Sequence, residues 1–135
     1  MDVLYRELVL EGRRLECTAA LFGIDFPMRL EPAVFSFAGR LSRDYGGGYW
    51  LFYVLSNGGF YMAPQSQRRF HVRSENGFEG ELSADALGIT ACLYAYSHLS
   101  FGGDVLADRC AEHFHWLREF MLDHVEVAAV LRAID

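Results

Sequence analysis

The sequence predicts an α+β fold, with a small antiparallel sheet of about four strands packed against four to five helices. Three observations carry this expectation. Two aromatic and aliphatic runs flank a Ser56-Asn57-Gly58-Gly59 turn. Two shorter runs flank Glu75-Asn76-Gly77. Elsewhere apolar residues recur at helical spacing, and strands that cluster in consecutive hairpins point away from an alternating parallel sheet.

The first dozen residues show no clear period. From Arg13 to Phe22, the positions of Leu15, Ala19 and Phe22 suit a helix, and Gly23 supplies a stop. A second helix is expected to begin near Pro32, whose fixed φ fits the first helical turn. It runs through Val34, Phe35, Ala38 and Leu41 toward Asp44, where Gly46, Gly47 and Gly48 follow.

Tyr49 to Leu55 and Phe60 to Ala63 form the first hairpin, spanning 49–64, because the Asn57-Gly58 step accepts the positive φ of a tight turn. Pro64 closes that strand. Phe70 to Arg73 and Phe78 to Leu82 alternate apolar with polar and give the second hairpin, spanning 70–82, so that a meander is expected.

Ser83 is an N-cap candidate for a helix over Ala84 to about His98, apolar nearly all round and therefore central and buried. Asp104 opens the last long helix. On a 100° wheel Leu106, Cys110, Phe114, Leu117, Met121 and Val125 fall together, with Asp104, Asp108, Glu112, Glu119 and Asp123 opposite. Asp123 and Glu126 have the offset of a capping box, which predicts a break and a short helix over Val127 to Ile134.

At 135 residues the chain suits a single domain, 1–135, and 52% hydrophobic with 22% charged residues excludes disorder. A net charge of -6 makes the overall field repel phosphate backbones, so no direct nucleic-acid binding is expected. Three widely separated cysteines, Cys17, Cys92 and Cys110, cannot all pair internally and fit a reducing cytoplasm. No run reaches the roughly 20 apolar residues that span a bilayer. A cytoplasmic protein with no membrane contact is expected.

Catalytic and cofactor signatures are missing. Glu112, His115 and Glu119 share a helical face, but a carboxylate-bridged di-iron site needs two Glu-x-x-His motifs and the chain has one. The glycine clusters lack the Lys-Ser/Thr of a P-loop, and Ser56 lacks a nucleophile elbow. No catalytic, cofactor-binding or metal residues are assigned. Tyr45, Trp50, Tyr53 and Asn57 leave one alternative, a pocket beside the glycine loop that takes a small ligand or supports an enzymatic reaction.

The acidic helix face invites comparison with DNA. From Asp104 to Glu126 a continuous helix rises about 33 Å, a length over which duplex carries about 19 charges. Six acids less Arg109 and Arg118 leave four net negative charges. That density does not imitate DNA. Asp104, Asp108, Glu112 and Glu119 are instead candidates for contact with a protein partner.

The run Asp44-Tyr45-Gly46-Gly47-Gly48-Tyr49-Trp50, continued by Phe52 through Ser56-Asn57-Gly58-Gly59 to Pro64, resembles the hallmark of the ArdB/KlcA antirestriction family. Ser83 to His98, then His113 to Leu122 and the closing Ile134-Asp135, resemble the same family in the same order. The resemblance implies a small α+β protein of mobile elements that relieves restriction by type I restriction-modification systems and protects incoming plasmid DNA. It implies an indirect or protein-binding mode of action, without catalysis. The expected partner is the type I complex or a host factor controlling it, met by a monomer.

Overall fold

A computed structural model gives the structure of the chain, which describes residues 3–135. Its strands are β1 (Arg6–Leu8), β2 (Trp50–Leu55), β3 (Phe60–Pro64), β4 (Arg69–Arg73) and β5 (Glu79–Ser83). Its helices are α1 (Arg14–Phe22), α2 (Glu31–Leu41), α3 (Ala84–Ser100), α4 (Val105–Met121) and α5 (Val127–Ile134). A π-helical turn, Phe26–Leu30, leads into α2, and Pro32 sits in the first turn of that helix as its missing N–H requires.

Both hairpins form. Gly58 and Gly77 take φ of 104° and 96° in their turns, the conformation that the Asn-Gly steps foretell. They do not join into one meander: β1-β2-β3 is one sheet and β4-β5 another. Pro64 has no N–H for a further ladder, and the exposed segment 65–68 carries the chain away before β4 begins.

The extra strand comes from the unassigned N-terminus. Arg6 lies opposite Leu55 and Leu8 opposite Tyr53, while the Val9 N–H donates to the Phe52 carbonyl at 2.8 Å. All three β1 residues are exposed, so burial imprints no alternation on the sequence there.

Helix α3 lies at the centre and packs on α2, α4, α5 and strands β3, β4 and β5. Ala86, Leu87, Ile89, Ala91 and Ala95 are wholly buried, as its all-round apolar character requires. Burying side chains such as Leu87 and Ile89 stabilises by about 1.5–3 kcal/mol each. Gly88 faces Ala63 of β3 so closely that a Cβ there would overlap the Cα and Cβ of Ala63. Ser83 caps the helix by accepting the Ala86 N–H at 3.1 Å.

Helix α4 packs through Leu106, Cys110, Leu117 and Met121 as the wheel predicts. His113, a polar residue at the edge of that stripe, is buried with them. Val125 does not join the stripe: α4 stops at Met121, and Val125 is 92% exposed in the following turn. The Asp123–Glu126 capping box also does not form. Glu126 sends its carboxylate to Ser83 instead, and its own N–H donates to His124 Nδ1 at 3.0 Å.

Candidate functional site

Asp104 is the N-cap of α4, where its carboxylate accepts the Ala107 N–H at 2.9 Å. It also meets Arg29 at 2.7 Å. The Arg29 guanidinium first, and the Ala107 N–H second, hold its carboxyl below the usual range. Two turns of helix then present Asp108 and Glu112, both exposed and without an ion pair or side-chain hydrogen bond among the described residues. Asp108, in the first turn, suits the positive end of the helix dipole. Glu119, on the same face, accepts from Asn57 Nδ2 at 3.2 Å.

The four acids therefore share one solvent-facing side of α4 but divide by role. Asp104 and Glu119 are engaged with other parts of the chain, Arg29 and Asn57. Asp108 and Glu112 are free to meet something else, as is Asp123 beyond the helix, also exposed.

Beyond the end of α4 lies a polar network that sequence reading missed. Arg6 Nη1 meets Asp85 Oδ1 at 2.7 Å and donates to the Tyr61 hydroxyl at 2.5 Å. The Tyr61 hydroxyl in turn donates to Asp85 at 2.8 Å. His124 Nε2 lies 2.9 Å from Asp85 Oδ2. Because His124 Nδ1 accepts the Glu126 N–H, its proton belongs on Nε2 and is donated to Asp85.

Burial raises the Asp85 carboxyl, but hydrogen bonds from His124 and Tyr61 with the charge of Arg6 outweigh it and hold Asp85 below its ordinary value. Burial and the Asp85 charge push the Tyr61 phenol upward, against the pull of Arg6. The Arg6 guanidinium also lies 4.2 Å from the centre of the Tyr53 ring. The network ties β1, β3, the start of α3 and the turn after α4 to one carboxylate. Its members lie 24 to 79 residues apart in pairs, and no local motif announces them.

The four residues of the alternative pocket do not converge. Trp50 is buried and donates its indole N–H to the Tyr45 hydroxyl at 3.0 Å. Tyr53 borders a cleft of about 460 Å³ with Arg6, Gln65, Gln67 and Asp85. Asn57 lies past the far end of β2 from Trp50, where its amide donates to the Trp116 carbonyl at 2.9 Å.

Among the described residues no group of three or more His, Cys, Asp or Glu could hold a metal ion. Cys92 and Cys110 are buried, and desolvation pushes each thiol up to about 12, leaving no thiolate near neutrality. His113 is enclosed by Phe22, Tyr96 and Trp116 at centroid distances of 4.6, 5.5 and 5.0 Å, with its Nδ1 buried and unpartnered. Burial, helped by the Arg109 charge, pushes it down to about 4. No described helix is long and apolar enough to cross a membrane.

Known proteins resemble this arrangement along nearly its whole length. Two antirestriction proteins KlcA of Escherichia coli are 44% and 46% identical; the first match covers 95% of this chain and 92% of the relative, the second 94% and 90%. An uncharacterized Escherichia coli K12 protein, YfjX, is 41% identical over 78% of this chain and 70% of its own. A solved structure, described as a novel fold of the KlcA and ArdB proteins with antirestriction activity against type I DNA restriction systems in vivo but not in vitro, superposes with a TM-score of 0.91. It is 42% identical and covers 99% of this chain and 96% of that one. The family model for antirestriction proteins matches residues 43–135, and with relatives this similar the chain belongs to the KlcA/ArdB family of antirestriction proteins.

Proposed function

We propose that this protein relieves restriction by type I restriction-modification systems and so protects incoming plasmid DNA, acting through protein contacts and not through dense imitation of DNA. The observation that carries the reading is the solved relative, matched at a TM-score of 0.91 and 42% identity, which acts against type I systems in vivo but not in vitro. An activity lost on purification implies a missing component, so a host factor controlling the restriction complex is favoured over the complex itself.

The charge distribution supports this. Helix α4 is 17 residues long, about 25 Å, and one of its acids is neutralised by Arg29. Asp108 and Glu112 form the contact surface in this reading, and the protein acts as a cytoplasmic monomer without catalysing a reaction.

Unmodified phage plated on cells carrying a type I system should form more plaques when the protein is expressed. A folded, expressed protein that leaves plating unchanged refutes the function. Protection of DNA by the purified protein against the purified endonuclease keeps the function but replaces the indirect mechanism with direct inhibition.

A further inference from the structure

The end of α2 is held against the free edge of β4 by Asp44, whose carboxylate accepts the His71 backbone N–H at 2.9 Å. That contact leaves a cleft of about 450 Å³ lined by Arg40, Leu41, Arg43, Asp44, His71 and Arg73. Three guanidinium groups and a single carboxylate, Asp44, line this opening in a protein of net charge -6. We propose that this cleft binds a small phosphate-bearing ligand, with Arg40, Arg43 and Arg73 gripping the phosphate.

The carboxylates around the cleft are accounted for. Asp44 is engaged with the β4 edge. Glu75 meets Arg40 at 2.8 Å, and Glu79 meets His71 at 2.8 Å and Arg73 at 3.6 Å. Glu75 and Glu79 are 83% and 53% exposed, and surface ion pairs of this kind contribute little. Arg43 has no acidic partner among the described residues. A phosphate dianion offers three oxygens and more charge than one carboxylate, so it takes the guanidinium forks in bidentate geometry and displaces those pairs.

Next to the cleft, a hollow of about 310 Å³ shares Arg40, Leu41 and Arg73 with it and has Phe37 and Tyr94 in its wall. This favours a phosphomonoester with an organic part over bare phosphate, at a size usual for small-ligand sites. A polyanion such as DNA is disfavoured by the net charge.

The test is calorimetric titration of the full chain, at fixed ionic strength, with adenosine monophosphate, inorganic phosphate and adenosine. Saturable binding of the two phosphates without binding of adenosine is expected. Arg43→Gln should weaken it on the order of tenfold while leaving the melting temperature unchanged, because Arg43 has no acid to lose. Absence of saturation, equal binding of adenosine, or an Arg43→Gln variant that binds as tightly as the wild type overturns the site. Binding of oligonucleotides with no binding of adenosine monophosphate overturns it in favour of a nucleic-acid surface.

Discussion

Glu126, in the turn before α5, reaches back 43 residues to receive both the backbone N–H and the hydroxyl of Ser83, the cap of the central helix. The hydroxyl thus donates to Glu126 while accepting from the first turn of α3, so the start of the central helix and the turn before α5 share one oxygen. Glu126→Ala should cost about 2 kcal/mol, the range of a hydrogen bond to a charged group, and Ser83→Ala about 1–2 kcal/mol. Urea unfolding of both variants and their combination should show the double variant losing less than the sum, because each change already breaks the shared bond.

Folding stability should fall as pH drops from 6.5 toward 4. His113 is held neutral in the folded protein down to about 4, whereas unfolded it takes up a proton near 6.5. Between those values the unfolded chain binds more protons, so stability rises with pH across the window and falls with acid. The contribution is roughly 3 kcal/mol. In His113→Leu the dependence between pH 4 and 6.5 should flatten by that amount in denaturant midpoints; an unchanged profile would assign it to other groups.

Gly88→Ala should be among the more damaging single-methyl changes in the chain. Its new Cβ meets the backbone of Ala63, so helix α3 must shift from β3. Overpacking of this kind costs about 1–3 kcal/mol or more, and thermal unfolding measures it directly.

Asp108→Asn with Glu112→Gln should leave stability within about 0.5 kcal/mol of the parent, since neither carboxylate has a partner to lose. If these two residues form the working surface, the double variant loses relief of restriction in the phage assay while remaining folded. Retained relief removes this face from the mechanism. Changing Asp104 or Glu119 instead would confuse the result, because both are engaged with other parts of the chain.

Local chemistry made much of this architecture legible. Ser83 before an apolar run, Asn57-Gly58 between aromatic runs, and the stripe from Leu106 to Met121 each act within a few residues, and each appears where expected. The failures share one cause. Strand β1 exists because of Leu55 and Tyr53 some 45 residues away, and the Glu126 carboxylate is claimed by Ser83. His113 was a different matter: the wheel sets it just beyond the edge of the apolar stripe, and its polarity gave no sign of the burial it has. At the acidic face, the wheel put all four residues on one side but could not separate Asp104 and Glu119, which contact Arg29 and Asn57, from Asp108 and Glu112, which make no ion pair or side-chain hydrogen bond among the described residues.

The core ignores the span by which the family is recognised. Phe22, Phe26, Leu30, Val34 and Ala38 are buried in the same cluster as Phe60, Leu93 and Leu117, yet all five precede residue 43, where the family match begins. A fragment cut at that point would leave the faces of β3 and α3 without their cover, and is expected to aggregate on expression. The segment ahead of the family model thus completes the core on which the rest of the molecule packs, and any replacement within it is bounded by the volume those five side chains must fill.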